Sequence, residues 1–299
     1  MISANGAAGS VLSLGRIYCD MVFTGLDGLP RLGRECFADD FALVPGGGAL
    51  ITAAHLQALG RRASLVARLG TDPLSRALEA PIGELDLDLD FLERHANAGP
   101  QLTVVMVEAG ERAFLSRRAG TARPAGFEAS LISPGVRHLH IAEYATLHEM
   151  PDALASAKAR GLSVSLDPSW DDILIHDPLF FERTAGVDIF LPNLEEAEAL
   201  TGTRAPKQAL AQLQRHFPVV ALKCGGDGAL LGMGEEVVAL PSPRVDVIDT
   251  TGAGDAFNAG FLHAWLNGTG AQACLAAAIA AGSRSVQAAG GIGALRAAE

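Results

Sequence analysis

Between residues 136 and 223 the chain alternates short apolar runs with segments of helical periodicity, a rhythm that few folds accommodate. The spacing predicts strands at 137–142, 162–166, 187–191 and 218–223, separated by helices at 149–160, 178–184, 194–201 and 206–215. Strands joined through helices run parallel, because each crossover returns the chain to the same end of the sheet. Alternation of this kind implies a sheet covered on both faces. The expected core is an α/β, doubly wound, mostly parallel sheet with helices on both faces.

The flanking segments extend this core and interrupt it. After a loose tail over 1–10, residues 11–17 (VLSLGRI) read as a buried first strand. Residues 33–44 alternate like a strand with one wet face, PGGG at 45–48 breaks the chain, and 49–59 take up helical periodicity up to Gly60. A strand follows at 62–69, and Thr71-Asp72-Pro73 offers a helix start. Residues 102–108 and 112–117, joined by Ala-Gly-Glu, read as a hairpin. Strand-like pieces at 229–232, 236–240 and 245–248 precede two alanine-rich helices, 254–267 and 271–288. We expect one domain over 11–299, with a small β-rich lid drawn from about 16–45 and 100–120. In open sheets of this class ligands bind beyond the carboxyl ends of the strands, so segments that follow strands matter most.

Bulk properties narrow the function. With 49% hydrophobic and 19% charged residues among 299, the chain is globular rather than disordered. A net charge of -11 argues against a nucleic-acid partner or an anionic membrane surface. The first ten residues lack a signal-peptide pattern, no run nears the roughly 18 apolar residues of a membrane span, and the expected location is cytoplasmic. Cys19, Cys36, Cys224 and Cys274 are dispersed without C-x-x-C spacing, which fits buried thiols better than zinc or disulfides. His55, His138 and His140 have no third ligand nearby in sequence and read as structural or surface residues.

The strongest signal is Asp249-Thr250-Thr251-Gly252-Ala253-Gly254-Asp255-Ala256-Phe257-Asn258-Ala259-Gly260. It is expected to follow a strand (VDVI) and open a helix, so its small residues form a turn whose N–H groups point at an anion. The helix end adds about half a positive charge. Gly252 and Gly254 let backbone approach a phosphate without an intervening Cβ. A carboxylate at Asp255 would repel a simple phosphate ligand. It makes sense if a substrate hydroxyl lies between it and a phosphoryl group, so that it takes the proton while the amides absorb developing charge. Asp255 as a plain helix-start acid is the bland alternative.

This segment resembles the C-terminal signature of the PfkB (ribokinase-like) carbohydrate kinases, and PGGG followed by a helix resembles their N-terminal glycine motif. Further likenesses occur in the family's order. The stretch from Gly15 to Asp20 resembles a first-strand turn, Leu69-Gly70-Thr71-Asp72 resembles L-G-x-D, and Pro192-Asn193-Leu194-Glu195-Glu196 resembles P-N-x-x-E. Lys223-Cys224-Gly225-Gly226-Asp227-Gly228 resembles a nucleotide loop. The resemblance implies ATP and Mg²⁺ as cofactors, a sugar or nucleoside as partner, Asp255 as base, and an anion hole from the backbone of Gly252, Ala253 and Gly254. It implies Asn193 and Glu196 near Mg²⁺ and the phosphates, and Lys223, Gly225, Asp227 and Gly228 bordering ATP. Asp20, Gly46, Gly47, Ile51, Arg112 and Glu143 would face the sugar, and Asp249 with the Thr251 carbonyl would match a monovalent-cation (K⁺) site of some members. Lid strands of this kind pair between subunits, which implies a homodimer.

Three positions depart from the family pattern. The usual asparagine falls on Ile51, beside Thr52, and a lysine of ribose-specific members is Gly48 here. The D-P-N-x-R of sugar-acid kinases reads Asp167-Pro168-Ser169-Trp170-Asp171, with Trp170 offered as an apolar wall. These changes bear on which hydroxyl pattern is tolerated rather than on the reaction. A nucleoside kinase and a catalytically silent sugar-binding relative remain alternatives. A dinucleotide-dependent oxidoreductase does not, because Gly15-Arg16-Ile17-Tyr18-Cys19-Asp20 is no G-x-G-x-x-G.

Overall fold

The computed structural model describes residues 9–108 and 111–296. Of the tail expected over 1–10, residues 1–8 lie outside the described residues, and Ser10 already opens the first strand. Positions 109 and 110 of the expected hairpin link also lie outside them.

The strands in chain order are β1 (Ser10–Leu14), β2 (Tyr18–Thr24), β3 (Asp40–Gly46), β4 (Ala63–Leu69), β5 (Leu92–Arg94), β6 (Leu102–Glu108) and β7 (Glu111–Arg117). They continue with β8 (Val136–Ile141), β9 (Ser163–Leu166), β10 (Ile189–Phe190), β11 (Val219–Lys223), β12 (Ala229–Met233) and β13 (Glu236–Leu240). Among the described residues nine form one sheet, ordered β13-β12-β11-β10-β9-β8-β1-β4-β5, and four form a second, ordered β3-β2-β6-β7. Neighbours from β5 to β11 are parallel, and β12 and β13 return antiparallel at the edge.

Both faces of the large sheet are covered, as the apolar strand runs require. Val11, Ile189 and Ala221 pack into one core cluster, while their chain neighbours Leu12, Phe190 and Leu222 pack into another on the opposite face. The helices Ala253–Leu266 and Ala271–Ser285 lie close together, and their alanine content follows from that approach. A Cβ on Gly260 would stand 2.5 Å from the Ala277 carbonyl oxygen, so glycine is required at the contact.

Three local expectations are corrected. Residues 33–39 are not strand: β2 ends at Thr24 and the chain turns at Gly25, so β3 has a partner only from Asp40 onward. Residues 245–248 are irregular, with Ile248 67% exposed, because the sheet ends at β13 and no further strand pairs with them. The helix expected over 149–160 divides into Tyr144–Glu149 and Ala153–Ala159 around Pro151, which cannot supply an interior N–H. No helix among the described residues is long and apolar enough to cross a membrane.

His138 and His140 lie on one face of β8 and are fully buried. His138 bonds Ser163 Oγ (2.7 Å) and Ser165 Oγ (2.8 Å), and His140 Nδ1 bonds Ser165 Oγ (2.8 Å). Burial pulls His140 from 6.5 down to about 4, with Asp167 opposing the fall. Between those values the unfolded chain binds the proton and the folded one does not, so stability falls as pH drops through the window. Other buried groups titrate in this range too, so the readout is a difference: from pH 7 to 4.5 the wild type should lose roughly 3 kcal/mol relative to His140→Gln in paired thermal melts. A difference that does not change with pH would exclude His140 as a source of the pH dependence.

Candidate active site

From β1 the chain winds outward through β4 and β5, then begins again at β8 on the other side, leaving a crevice beyond the carboxyl ends of β1 and β8. Polar residues stand at this end of successive strands: Arg16 after β1, Glu143 after β8, Asp167 after β9, Asn193 after β10, and Lys223 closing β11. The small sheet folds over them as a lid, and the cleft between has a volume of about 870 Å³.

Asp255 lines this cleft from the first turn of the helix Ala253–Leu266, which begins after Gly252 in a left-handed conformation (φ 72°). A Cβ at Gly252 would come 2.6 Å from Gly291 Cα, so the turn admits only glycine. The amide of Ala253 closes the turn onto the Thr250 carbonyl (3.2 Å). Those of Gly252, Gly254 and Asp255 have no acceptor among the described residues and are free to bind an anion. Ala253 is thus the least available of the three amides expected in the anion hole, and Asp255 N takes its place. Burial pushes the Asp255 carboxyl up to about 7; Asp167 and Asp20 add to the rise and Lys223 opposes it. Thr52 Oγ1 donates to the Asp255 carbonyl (3.3 Å), and a Cβ on Gly48 would sit 2.8 Å from Asp255 Oδ1. A side chain at position 48 would therefore displace the carboxylate.

Behind Asp255 lies a buried polar network. Lys223 Nζ donates to Asp167 Oδ2 (2.6 Å) and to Asn258 Oδ1 (3.4 Å), and Asn258 Nδ2 donates to the same Asp167 oxygen (2.6 Å). Burial disfavours the Lys223 ammonium, but Asp167 and Glu196 outweigh it and raise its proton affinity. Asn193 and Glu196 form a reciprocal cap, Glu196 N donating to Asn193 Oδ1 and Asn193 N to Glu196 Oε2, both at 2.8 Å. Glu196 is thus a first-turn acid of its helix, and its side chain also lines the cleft. Burial pushes it up to about 8, Asp167 adding to the rise and Lys223 opposing it. The side-chain oxygens of Glu196, Asn193 and Asp167 are hard donors lining one stretch of the cleft, and they would hold a divalent cation directly or through water.

At the other end of the cleft, Asp20 belongs to β2 rather than to the turn after β1 expected from the sequence. Its pairing with Val44 on one edge and Thr103 on the other draws the segment into the lid. Burial lifts its carboxyl to about 7 against a hydrogen bond from Thr103. Gly47 (φ 99°) lines the cleft, and a Cβ on Gly46 would run into the Asp20 carboxylate. Glu143 accepts from Thr146 Oγ1 (2.7 Å), and burial raises its proton affinity. Ile51 is 3% exposed, packing with Ala54 and Ile292 while bordering the cleft.

Sequence reasoning left out Arg16, Tyr18 and Arg118. Arg16 is buried on Glu149 (2.6 Å), and Arg118 reaches from beyond β7 to Asp171 (2.6 Å) and Tyr18 (3.4 Å). Their signal is absent locally, because each partner lies 50 or more residues away. Asp167 was visible as an acid following a strand. Gly225, Asp227 and Gly228 stand on a turn beside the cleft but outside its lining, and Gly228 is held by close packing on Leu240 and Pro241. Arg112 is turned away from the cleft, onto Asp249, Thr250 and Thr251.

This arrangement has counterparts in known proteins. Residues 31–298 match the pfkB family carbohydrate kinase family. A 2-dehydro-3-deoxygluconokinase of Haemophilus influenzae is 26% identical over 256 residues, covering 77% of this chain and 82% of its own. Ribokinase of Arabidopsis thaliana, solved with ribose and ATP, superposes with a TM-score of 0.84 at 24% identity, covering 96% of each chain. A ribokinase II of Escherichia coli, in complex with ATP and Mg²⁺, gives 0.79 at 20% identity over 95% of this chain and 94% of its own. The chain is a member of the pfkB family of carbohydrate kinases.

Proposed function

We propose that the protein transfers the γ-phosphate of ATP to a hydroxyl of a small sugar, with Asp255 removing the hydroxyl proton. One observation carries this reading: a carboxyl group with a proton affinity near neutrality stands beside free main-chain amides at a helix start. Asp255 accepts the proton on its carboxylate, and the N–H groups of Gly252, Gly254 and Asp255 receive charge as it spreads over the phosphoryl oxygens. Mg²⁺, when bound, supplies charge neutralisation at the phosphates. Lys223 donates to Asp167 and holds Asp255 below the proton affinity that burial alone would impose. Asp20 and Glu143 orient the acceptor through its hydroxyls, and the lid excludes water. The Arg118–Asp171 pair spends its charges on each other, which leaves this end of the cleft suited to an uncharged polyol.

A nucleoside acceptor is the second reading, favoured by Phe114 and Trp170, 61% and 42% exposed where they border the cleft. The lid's outer face, with Phe37 and Phe41 exposed and Cys36 nearby, fits a homodimer formed through the lid. The four free thiols fit a reducing cytoplasm.

Asp255→Asn should lower kcat by about 10²- to 10⁴-fold on any sugar the wild type phosphorylates, with little change in ATP affinity. An unchanged rate removes Asp255 from the mechanism. In the wild type, kcat/KM should rise with pH at a slope of one and level off above about 7, because the ionised carboxylate is the active form. Lys223→Met should move that limb to higher pH, since Lys223 favours the ionised Asp255. A limb that stays in place would show that the two groups are not coupled.

A further inference from the structure

The resemblance to this family implies a monovalent cation at Asp249 and Thr251, and the structure tests whether these residues suit one. Asp249 Oδ1 accepts from Thr251 N (2.8 Å) and Thr251 Oγ1 (2.8 Å), and it pairs with Arg112 Nη1 at 2.9 Å. Its Oδ2 accepts from Gly290 N (2.8 Å). Three of these contacts crowd Oδ1, while Oδ2 has Gly290 N alone and keeps one lone-pair position. The Arg112 guanidinium also donates to the hydroxyls of Thr250 and Thr251. Of the nearby carbonyls, Val286 O accepts from Ile248 N (2.8 Å) and Thr250 O from Ala253 N (3.2 Å), while Thr251 O has no donor among the described residues. A free cation there would meet the fixed positive charge of Arg112 on the same carboxylate. That charge, rather than a lack of oxygens, makes these residues a poor fit for K⁺.

Arg112 itself comes from the lid. It sits on β7, paired with Val107 of β6, and its targets lie 137 to 139 residues further along the chain. The side chains of Arg112 and Asp249 are 18% and 22% exposed, so the pair is shielded more than a surface ion pair. A guanidinium presents several donors in a rigid fork, which lets one side chain hold three neighbouring residues in a fixed arrangement. Those residues lead directly into Gly252, whose left-handed turn sets the direction of the anion-binding amides.

We propose that Arg112 is a built-in cation of this loop and the latch that clasps the lid to it, so that the chain sets residues 252–255 without a monovalent ion. Arg112 acts as a positioning residue, since it touches the loop and not the cleft. The proposal rests on the kinase reading only for what the loop then does. Its test needs no turnover, so a failed kinase assay leaves it intact.

Thermal melts of the wild-type chain in KCl and in choline chloride at equal ionic strength should coincide. A higher melting temperature in KCl would overturn the proposal, because it would reveal a site for the ion. Hydrogen exchange supplies the second arm. In Arg112→Met, peptides covering 111–117 and 249–254 should both exchange at least about tenfold faster than in the wild type, as one charge-assisted anchor is lost from each side. Arg112→Lys, which restores the charge but not the fork, should recover part of the protection. Unchanged exchange in either segment of Arg112→Met would show that nothing is latched.

Discussion

Carboxyl groups crowd one cleft in this protein, and a single buried ammonium makes that tolerable. Asp167, Glu196, Asp255 and Asp20 line the same space, and Lys223 lies bonded to Asp167 on its floor. Burial raises the proton affinity of Asp20, Glu196 and Asp255, and the neighbouring Asp167 adds to the rise at the last two, so all three titrate at about 7 to 8. A base poised near neutral pH needs that environment. The folded scaffold exists, in this sense, to hold acids together that would separate in water.

The fold makes the crowding possible by topology. Five parallel strands end at the same level, and the reversal between β1 and β8 opens a gap there instead of covering it with a helix. The lid then closes the open side with Asp20 and Thr103. Its apolar outer face and its contact through Arg112 show that it is more than a passive cover. Arg112 joins the lid to the loop before Asp255.

Much of this was readable from local sequence. The parallel core followed from the regular rhythm after residue 136, and the turn that opens the helix Ala253–Leu266 followed from two glycines and an acid. The spacing of Asn193 and Glu196 carries a capping box in plain view. What escaped depends on distant pairing. The stretch from Gly15 to Asp20 resembles a first-strand turn until β6, some 80 residues on, supplies an edge for β2, which places Asp20 in the lid. Apolar character at 245–248 suggested a strand that no neighbour was present to accept. Lys223 stood out in the sequence, but its bond to Asp167, 56 positions earlier, did not. Arg112 read as a sugar contact because nothing in GERAFL points to Asp249.

The account stands on the proton affinity of one side chain. Selective ¹³C labelling of aspartate carboxyls, followed by NMR from pH 4 to 9 in the wild type and in Asp255→Asn, would observe it directly. The resonance missing from the variant should be one that titrates near 7 in the wild type. If the missing resonance titrates in the ordinary carboxylate range below about 5, the cleft does not raise Asp255 and the central claim is wrong.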